Sequence, residues 1–159
     1  MTDAFLDVMA AVPTPVSVVT AMDGTRPHGT TVSAFASLSL DPPMVLVALD
    51  RGSDLLKIVR EQRRCGLNVL ACAQSDLAKV FARKGAAKFT GVRWYSEDGL
   101  PRLDGVCGWL SCNVADLVDG GDHVVALGTV ISAQVGNPAP LTYHAREFGT
   151  HIALDRAVR

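Results

Sequence analysis

The feature that most constrains this fold is a series of apolar, β-branched runs that are divided by turn residues. The two longest runs, Val106–Val118 and His123–Val135, are separated only by Asp119-Gly-Gly-Asp122, which predicts a long β-hairpin. Val16–Ala21 and His28–Ser33 flank another short turn in the same way. Strands joined by short turns pair antiparallel, so the sequence predicts an antiparallel sheet and disfavours a parallel, doubly wound one.

Further strands and a few helices complete the predicted architecture. Two more apolar runs read as strands, Met44–Asp50 and Gly66–Cys72. Capping residues and 3.6-residue periodicity predict three helices, at Thr2–Val12, Ser53–Arg63 and Ser75–Lys84. The segment Lys88–Asp104 reads as a loop, and the tail as loose apart from a short extended piece, Pro140–His144. Together these elements predict a mainly β fold, an antiparallel barrel with peripheral helices.

Length, charge and cysteine pattern narrow the class of protein. A chain of 159 residues fits a single domain, 1–159, and a formal net charge of −1 disfavours nucleic acid as a partner. No apolar stretch reaches the roughly 18 residues of a membrane span, and the N-terminus lacks the basic start of a signal peptide, so we expect a cytoplasmic protein without a membrane partner. The cysteines form no CxxC pair and the histidines are scattered, so we expect no metal.

The common catalytic and nucleotide-binding motifs are missing from the sequence. It contains no GxGxxG at a strand–helix junction, no GxxxxGK[ST], no GxSxG and no HExxH. A dinucleotide substrate would therefore bind without a Rossmann crevice.

A hydroxyl-rich segment, His28–Pro43, is the first candidate for ligand binding. Five hydroxyl side chains fall within ten consecutive residues of this segment, among apolar neighbours. They are Thr30, Thr31, Ser33, Ser37 and Ser39. An edge strand with a solvated face is one interpretation. A cradle for a polar ring edge, a ribityl chain or a phosphate is the other.

Three more segments carry candidate ligand groups. Asp50-Arg51-Gly52-Ser53 precedes a helix and could bind an anion, or could be an ordinary helix cap beside a surface arginine. His123 follows two glycines, which would allow a ligand to approach closely, although a lone histidine is also commonly structural. The basic residues of Phe81–Phe89 could hold phosphate or simply stabilise the end of a helix.

Taken together, these features resemble the flavin reductase family of the FMN-binding split-barrel superfamily. The resemblance runs from about Phe5 to Phe148 and rests on seven segments in the family's order: Thr31–Phe35, Ser37–Pro43, Val45–Ser53, Asn68–Leu70, Phe81–Phe89, Gly121–Val130 and Pro140–His144. Pro15 stands where the family often has glycine, at the entry to the first strand. The implied fold is an antiparallel six-stranded split β-barrel.

The resemblance also implies roles for individual residues. A wall along the flavin ring and ribityl chain would include Thr30, Thr31, Val32, Ser33, Ser37, Leu38 and Ser39. Arg51 and Ser53 would lie at the flavin phosphate, with Lys88 and Phe89 closing over it, and Asp50 would also belong to the cofactor-binding residues. His123 would position the nicotinamide, and Tyr143 and His144 would lie near the rest of the dinucleotide.

The implied activity is hydride transfer from NADH or NADPH to FMN or FAD, by a homodimer that supplies reduced flavin to a partner monooxygenase. Hydride transfer needs no protein acid or nucleophile, which agrees with the missing catalytic motifs. The alternatives are a non-catalytic, flavoredoxin-like electron carrier, another split-barrel flavin oxidase, and a β-barrel interaction module without a cofactor.

Overall fold

The computed structural model describes residues 1–85 and 87–154, and over these residues the chain is mainly β-strand. Its helices are α1 (Thr2–Ala10), α2 (Asp54–Gln62) and α3 (Ser75–Ala82), with a single 3-10 turn at Cys72–Gln74. The strands are β1 (Thr14–Pro15), β2 (Ser17–Asp23), β3 (Arg26–Val32), β4 (Phe35–Leu40), β5 (Pro43–Asp50), β6 (Arg64–Val69), β7 (Trp94–Glu97), β8 (Leu100–Leu103), β9 (Gly108–Gly120), β10 (His123–Val135), β11 (Leu141–His144) and β12 (Glu147–Thr150).

Seven of the described strands form the main sheet, in the order β3-β2-β6-β9-β10-β5-β4. Every neighbouring pair of strands in this sheet is antiparallel, as the short turns predict. The β9–β10 hairpin lies near the centre, and its last pair joins Gly120 to His123. The same His123 pairs with Asp50 on β5, so the turn of the central hairpin reaches the end of β5.

The sheet is buried on both faces along β2, where residues 17–21 are all buried. Side chains alternate across a strand, so Val18 and Val19 enter different cores. Val19 packs in the core that includes Leu55 and Val59 of α2. Val18 packs with Phe81 of α3 in the other core. The two helices are thus fixed on opposite faces of the sheet.

The prediction of a loop at Lys88–Asp104 is wrong, because the segment contains the β7–β8 hairpin. Asp98 and Gly99 are its turn and both have positive φ, 52° and 73°, as a two-residue hairpin turn of this kind requires. Leu100 and Leu103 are buried in the second core, 3% and 0% exposed. The turn residues gave the correct position of the reversal, but strands of four residues are too short to show alternation.

Other boundaries differ modestly from the expectations. The first helix ends at Ala10, and the strand that follows β5 and α2 begins at Arg64 and ends at Val69. The tail is more ordered than expected, since β12 pairs with β11 and β1 adds a third strand. Of the predicted single domain, residue 86 and residues 155–159 lie outside the described residues.

The predicted fold class is confirmed: over the described residues the chain is mainly β, with antiparallel sheets and peripheral helices. The main sheet has seven strands because β4 pairs with β5 and forms its edge. No helix formed by residues 1–85 and 87–154 combines the length and apolar character needed to cross a membrane.

Candidate functional site

A groove of about 730 Å³ opens beside the N-terminus of α2. Its walls come from the β2–β3 hairpin, from the junction of β5 with α2, and from the segment that follows α3. Five of the residues predicted from the sequence line it: Thr30, Asp50, Ser53, Lys88 and Phe89. The volume lies within the range of small-molecule sites, roughly 300–1,000 Å³.

Ser53 occupies the N-terminal cap position of α2, but its hydroxyl makes no capping hydrogen bond. Its backbone is extended there, with φ −72° and ψ 131°. The loop is shaped by Asp50, whose carboxylate accepts a hydrogen bond from the amide of Gly52 at 2.6 Å and whose carbonyl accepts one from the amide of Ser53 at 3.0 Å. The first amides of α2 and the Ser53 hydroxyl therefore remain available to an anion in the groove.

Lys88 holds the segment after α3 against β3. Its ammonium donates to the carbonyl oxygens of Gly29 and Phe81, at 3.1 and 3.0 Å. Burial lowers the pKa of Lys88 from its usual value, and the charge of Asp54 opposes that shift. An ammonium has three protons, so one remains for a ligand while the other two hold the wall in place.

Phe89 forms the apolar part of the same wall. Its ring packs edge-on against Phe81, with centroids 4.9 Å apart, and against Trp94 at 5.7 Å. These contacts continue into the second core, so Phe89 presents a fixed apolar surface to the groove.

The hydroxyl-rich segment divides between the groove, the core and the outer surface. Thr30 lines the groove, whereas the Thr31 hydroxyl donates to the carbonyl oxygen of Ala78 at 2.6 Å. Val32 is buried in the first core. The remaining predicted residues, Ser33, Ser37, Leu38 and Ser39, are exposed or half-buried around the β3–β4 connection and along β4 and do not line the groove.

Arg51 and His123 meet at the turn between β9 and β10. Arg51 donates through Nε to the carbonyl oxygen of Gly121 at 2.7 Å and through its terminal nitrogen to Asp119 at 2.8 Å. His123 Nδ1 lies 2.7 Å from the carboxylate of Asp122, and this bond holds the pKa of Asp122 below its usual range. The guanidinium of Arg51 is thus directed at the turn and is not among the groove-lining groups.

Tyr143 and His144 lie apart from the groove, on β11 of the small three-stranded sheet. The Tyr143 ring packs against Phe148 at 5.2 Å, and the ammonium of Lys79 on α3 lies 6.0 Å from the Phe148 ring. This sheet therefore flanks the outer side of α3.

Among the groove residues that sequence reasoning missed are two basic ones, Arg26 and Lys57. Arg26 on β3 approaches His28, at 3.5 Å, and Lys57 on α2 pairs with Asp54 at 2.9 Å. A basic residue just after the Asp23-Gly24 turn is a signal that could have identified Arg26. Within the described parts of the chain, histidine, cysteine and acidic side chains form no group of three able to hold a metal ion.

Comparison with known proteins shows the family to which the chain is similar. The sequence profile described as "Flavin reductase like domain" matches residues 9–151. The reductase component of 4-nitrophenol 4-monooxygenase/4-nitrocatechol 2-monooxygenase from Rhodococcus opacus is 35% identical over 154 residues, covering 97% of this chain and 83% of that protein.

Two further similarities agree with this match. A flavin reductase (NADH) from Kitasatospora aureofaciens is 37% identical over 153 residues, covering 92% of this chain and 80% of that protein. The structure of an NADH:FAD oxidoreductase from Streptomyces globisporus C-1027, in complex with NAD and FAD fragments, superposes with a TM-score of 0.89 at 29% identity, covering 98% of this chain and 94% of the other.

Proposed function

This chain belongs to the flavin reductase family, and from that premise we propose that the groove beside α2 binds the flavin that it reduces with NAD(P)H. It is an NAD(P)H:flavin oxidoreductase, in agreement with relatives named as NADH-dependent flavin reductases. The observation that carries the placement of the flavin is Ser53, a helix-cap hydroxyl with no capping bond that lines the groove.

The groups around the groove fit a flavin phosphate. The free amides at the N-terminus of α2 and the Ser53 hydroxyl supply donors, and Lys88 adds a positive charge that is already held in place by Gly29 and Phe81. Phe89 supplies an apolar surface next to these donors. Polar groups at one end of an apolar wall are what an amphipathic ligand such as FMN or FAD requires.

The rest of the flavin would extend along β3 toward β4. Thr30 faces the groove, but the Thr31 hydroxyl and the Val32 side chain are engaged elsewhere, so residues 30–33 would contact the ring edge mainly through backbone groups. The exposed Ser33, Ser37 and Leu38, with the half-buried Ser39, would continue this wall. Backbone amides near the flavin pyrimidine would stabilise the negative charge of the reduced form.

When both substrates are bound, hydride passes from the nicotinamide to the flavin, and the protein's task is to align the two rings. We assign the nicotinamide to His123. Because Nδ1 of His123 faces the Asp122 carboxylate, a neutral imidazole would carry its proton there and offer Nε2 as an acceptor for the carboxamide N–H. Tyr143 and His144 are proposed to contact the remainder of the dinucleotide.

We further propose a homodimer that supplies reduced flavin to a monooxygenase partner. Apolar side chains stay exposed on β4 and β10, the two strands that flank β5 in the main sheet: Leu38, Leu40 and Ile131 are 45%, 91% and 54% exposed. Relatives named as reductase components of monooxygenases support such a partner. The four cysteines are free thiols, which fits a reducing, cytoplasmic location.

One steady-state experiment tests the reaction and identifies its substrates. NADH and NADPH are each mixed with FMN, FAD and riboflavin, and loss of the nicotinamide absorbance band is followed. We expect rapid oxidation with at least one nicotinamide. Tight flavin binding without nicotinamide oxidation would instead indicate an electron carrier, and no flavin binding would indicate an interaction module.

A further inference from the structure

The loop that carries Ser53 is joined directly to the turn that carries His123. Arg51 makes three hydrogen bonds to the turn: its amide to the carbonyl oxygen of Asp122 at 3.0 Å, its Nε to that of Gly121 at 2.7 Å, and its terminal nitrogen to the Asp119 carboxylate at 2.8 Å. The acceptors of the two side-chain bonds lie 70 and 68 positions after Arg51 in the chain.

The turn is short, and Gly121 and Asp122 are exposed. Gly120 pairs with His123, so Gly121 and Asp122 form a two-residue loop, and Gly121 has a φ of 70°. A Cβ at Gly121 would have no atom within 4 Å, so the side of this residue that a side chain would occupy is open space. A glycine in such open space has wide backbone freedom, and the bond from Arg51 to its carbonyl oxygen restricts that freedom.

We propose that Arg51 is a positioning residue that fixes the His123 turn against the flavin-binding loop, and that it does not itself hold the flavin phosphate. This inference rests on the proposed function of Ser53 and His123. Hydride transfer is sensitive to the alignment of two rings, so a link between the loops that hold them acts on the reaction without touching either substrate.

The direction of the guanidinium separates this role from phosphate binding. Two of its nitrogens are already bonded to oxygens of the turn, and Arg51 does not line the groove that Ser53 and Lys88 share. The guanidinium keeps further N–H groups, but it contributes none of them to the wall of that groove. Exposed ion pairs contribute little to folding stability, and these side chains are 42% and 81% exposed, so loss of the link should alter kinetics and leave the melting temperature unchanged.

The test compares Arg51→Ala, Asp119→Ala and the double variant. We expect Arg51→Ala to raise the KM for NADH by about 5- to 20-fold and Asp119→Ala by about 3- to 10-fold, with the double variant no worse than Arg51→Ala, because coupled residues are not additive. Kd values for FMN and for riboflavin, which has no phosphate, should both stay within about 2-fold of wild type. Arg51→Lys can keep one of the two side-chain bonds and should recover part of the loss.

Arg93→Ala is the matched control, since Arg93 is an exposed arginine in a different surface ion pair, 3.4 Å from Asp104. It should behave as wild type. The proposal is overturned if Arg51→Ala weakens FMN binding but not riboflavin binding while Asp119→Ala has no effect, because that pattern means phosphate contact. Additive KM effects in the double variant would also overturn it. Failure of the proposed function is distinct: wild-type protein would then oxidise no nicotinamide with any flavin.

Discussion

At the scale of single residues, Ser53 is unusual because it occupies the N-cap position of α2 while its hydroxyl caps no amide of the helix. Serine at a helix N-terminus normally satisfies an amide two or three residues later. Here the hydroxyl makes no such bond and lines the groove. The position was predictable from the sequence, since serine followed by Asp54 begins a helix. The unused hydroxyl was not, because it depends on a rotamer.

We predict that Ser53→Ala weakens FMN binding without destabilising the fold. Loss of a hydroxyl bond to a charged phosphate costs about 1–3 kcal/mol, or about 5- to 150-fold in Kd. No capping bond is lost, so the melting temperature should not fall. Flavin fluorescence titration with FMN and riboflavin measures both affinities. Equal weakening of both flavins would place the phosphate elsewhere.

His123 is the first residue of β10, paired with Asp50 across the ladder and with Gly120 across the turn. Its Nδ1 is bonded to Asp122, so the ring is oriented. The sequence alone made His123 a candidate ligand contact, because two glycines precede it and would let a ligand approach closely. The link to Arg51 could not be foreseen, since it depends on the register between β5 and β10.

We predict that His123→Ala raises the KM for the nicotinamide or lowers kcat/KM by about 10- to 100-fold, a loss of roughly 1.4–2.7 kcal/mol in transition-state stabilisation. The flavin Kd should remain within a few-fold of wild type. His151→Ala, at an exposed histidine outside the groove, is the control. If His123 only pins the hairpin, the melting temperature and both affinities will fall together, and unchanged nicotinamide kinetics would end the assignment.

At the scale of elements, the β7–β8 hairpin is held to β9 and β10 by the side chain of Asp98 in its turn. The Asp98 carboxylate accepts hydrogen bonds from Ser132 at 2.6 Å and Ser111 at 2.7 Å. Ser111 is fully buried, so this pairing satisfies a hydroxyl away from water. Long runs such as β9 and β10 were predictable because many residues share one pattern, whereas this hairpin depends on contacts between distant segments.

The same contacts give the hairpin a pH dependence. The hydroxyls of Ser132 and Ser111 hold the pKa of Asp98 below the ordinary carboxyl value of about 3.9, and the charge of Arg64 acts in the same direction. A lowered folded-state pKa contributes stability that is complete above the unfolded pKa and is lost as the pH falls through the folded one.

We therefore predict that Asp98→Asn is less stable than wild type near neutral pH and that this difference shrinks in acid. Asparagine tolerates the positive φ of residue 98, so the turn itself is kept. Melting temperatures of both proteins between about pH 6 and about pH 3 measure the difference. Glu147→Gln, at an exposed carboxylate on β12, is the control. A constant difference across this range would mean that the charge of Asp98 plays no part.

At the scale of the whole molecule, we predict a homodimer. The chain has a mass of 16.8 kDa, and light scattering at micromolar concentration should give about twice that value. Tyr95, 47% exposed on β7, is a predicted contact, and burial of large apolar side chains on the sheet would stabilise the pair. Leu40→Asp, at the most exposed leucine of β4, should weaken association. A monomeric wild-type protein contradicts the prediction.

The pairing of β5 with β10 also determines when the site can form during folding. Asp50 and His123 are partners in the ladder although 73 positions separate them (123 minus 50). Non-local strand pairing is slow, because the entropy of closing a long loop is lost before the contacts form. A nascent chain that has completed α2 therefore has the Ser53 loop but no partner for it, and productive capture of substrate must wait until β9 and β10 are synthesised and docked. Flavin supplied during refolding should thus leave the folding rate unchanged and act only afterwards, by slowing unfolding.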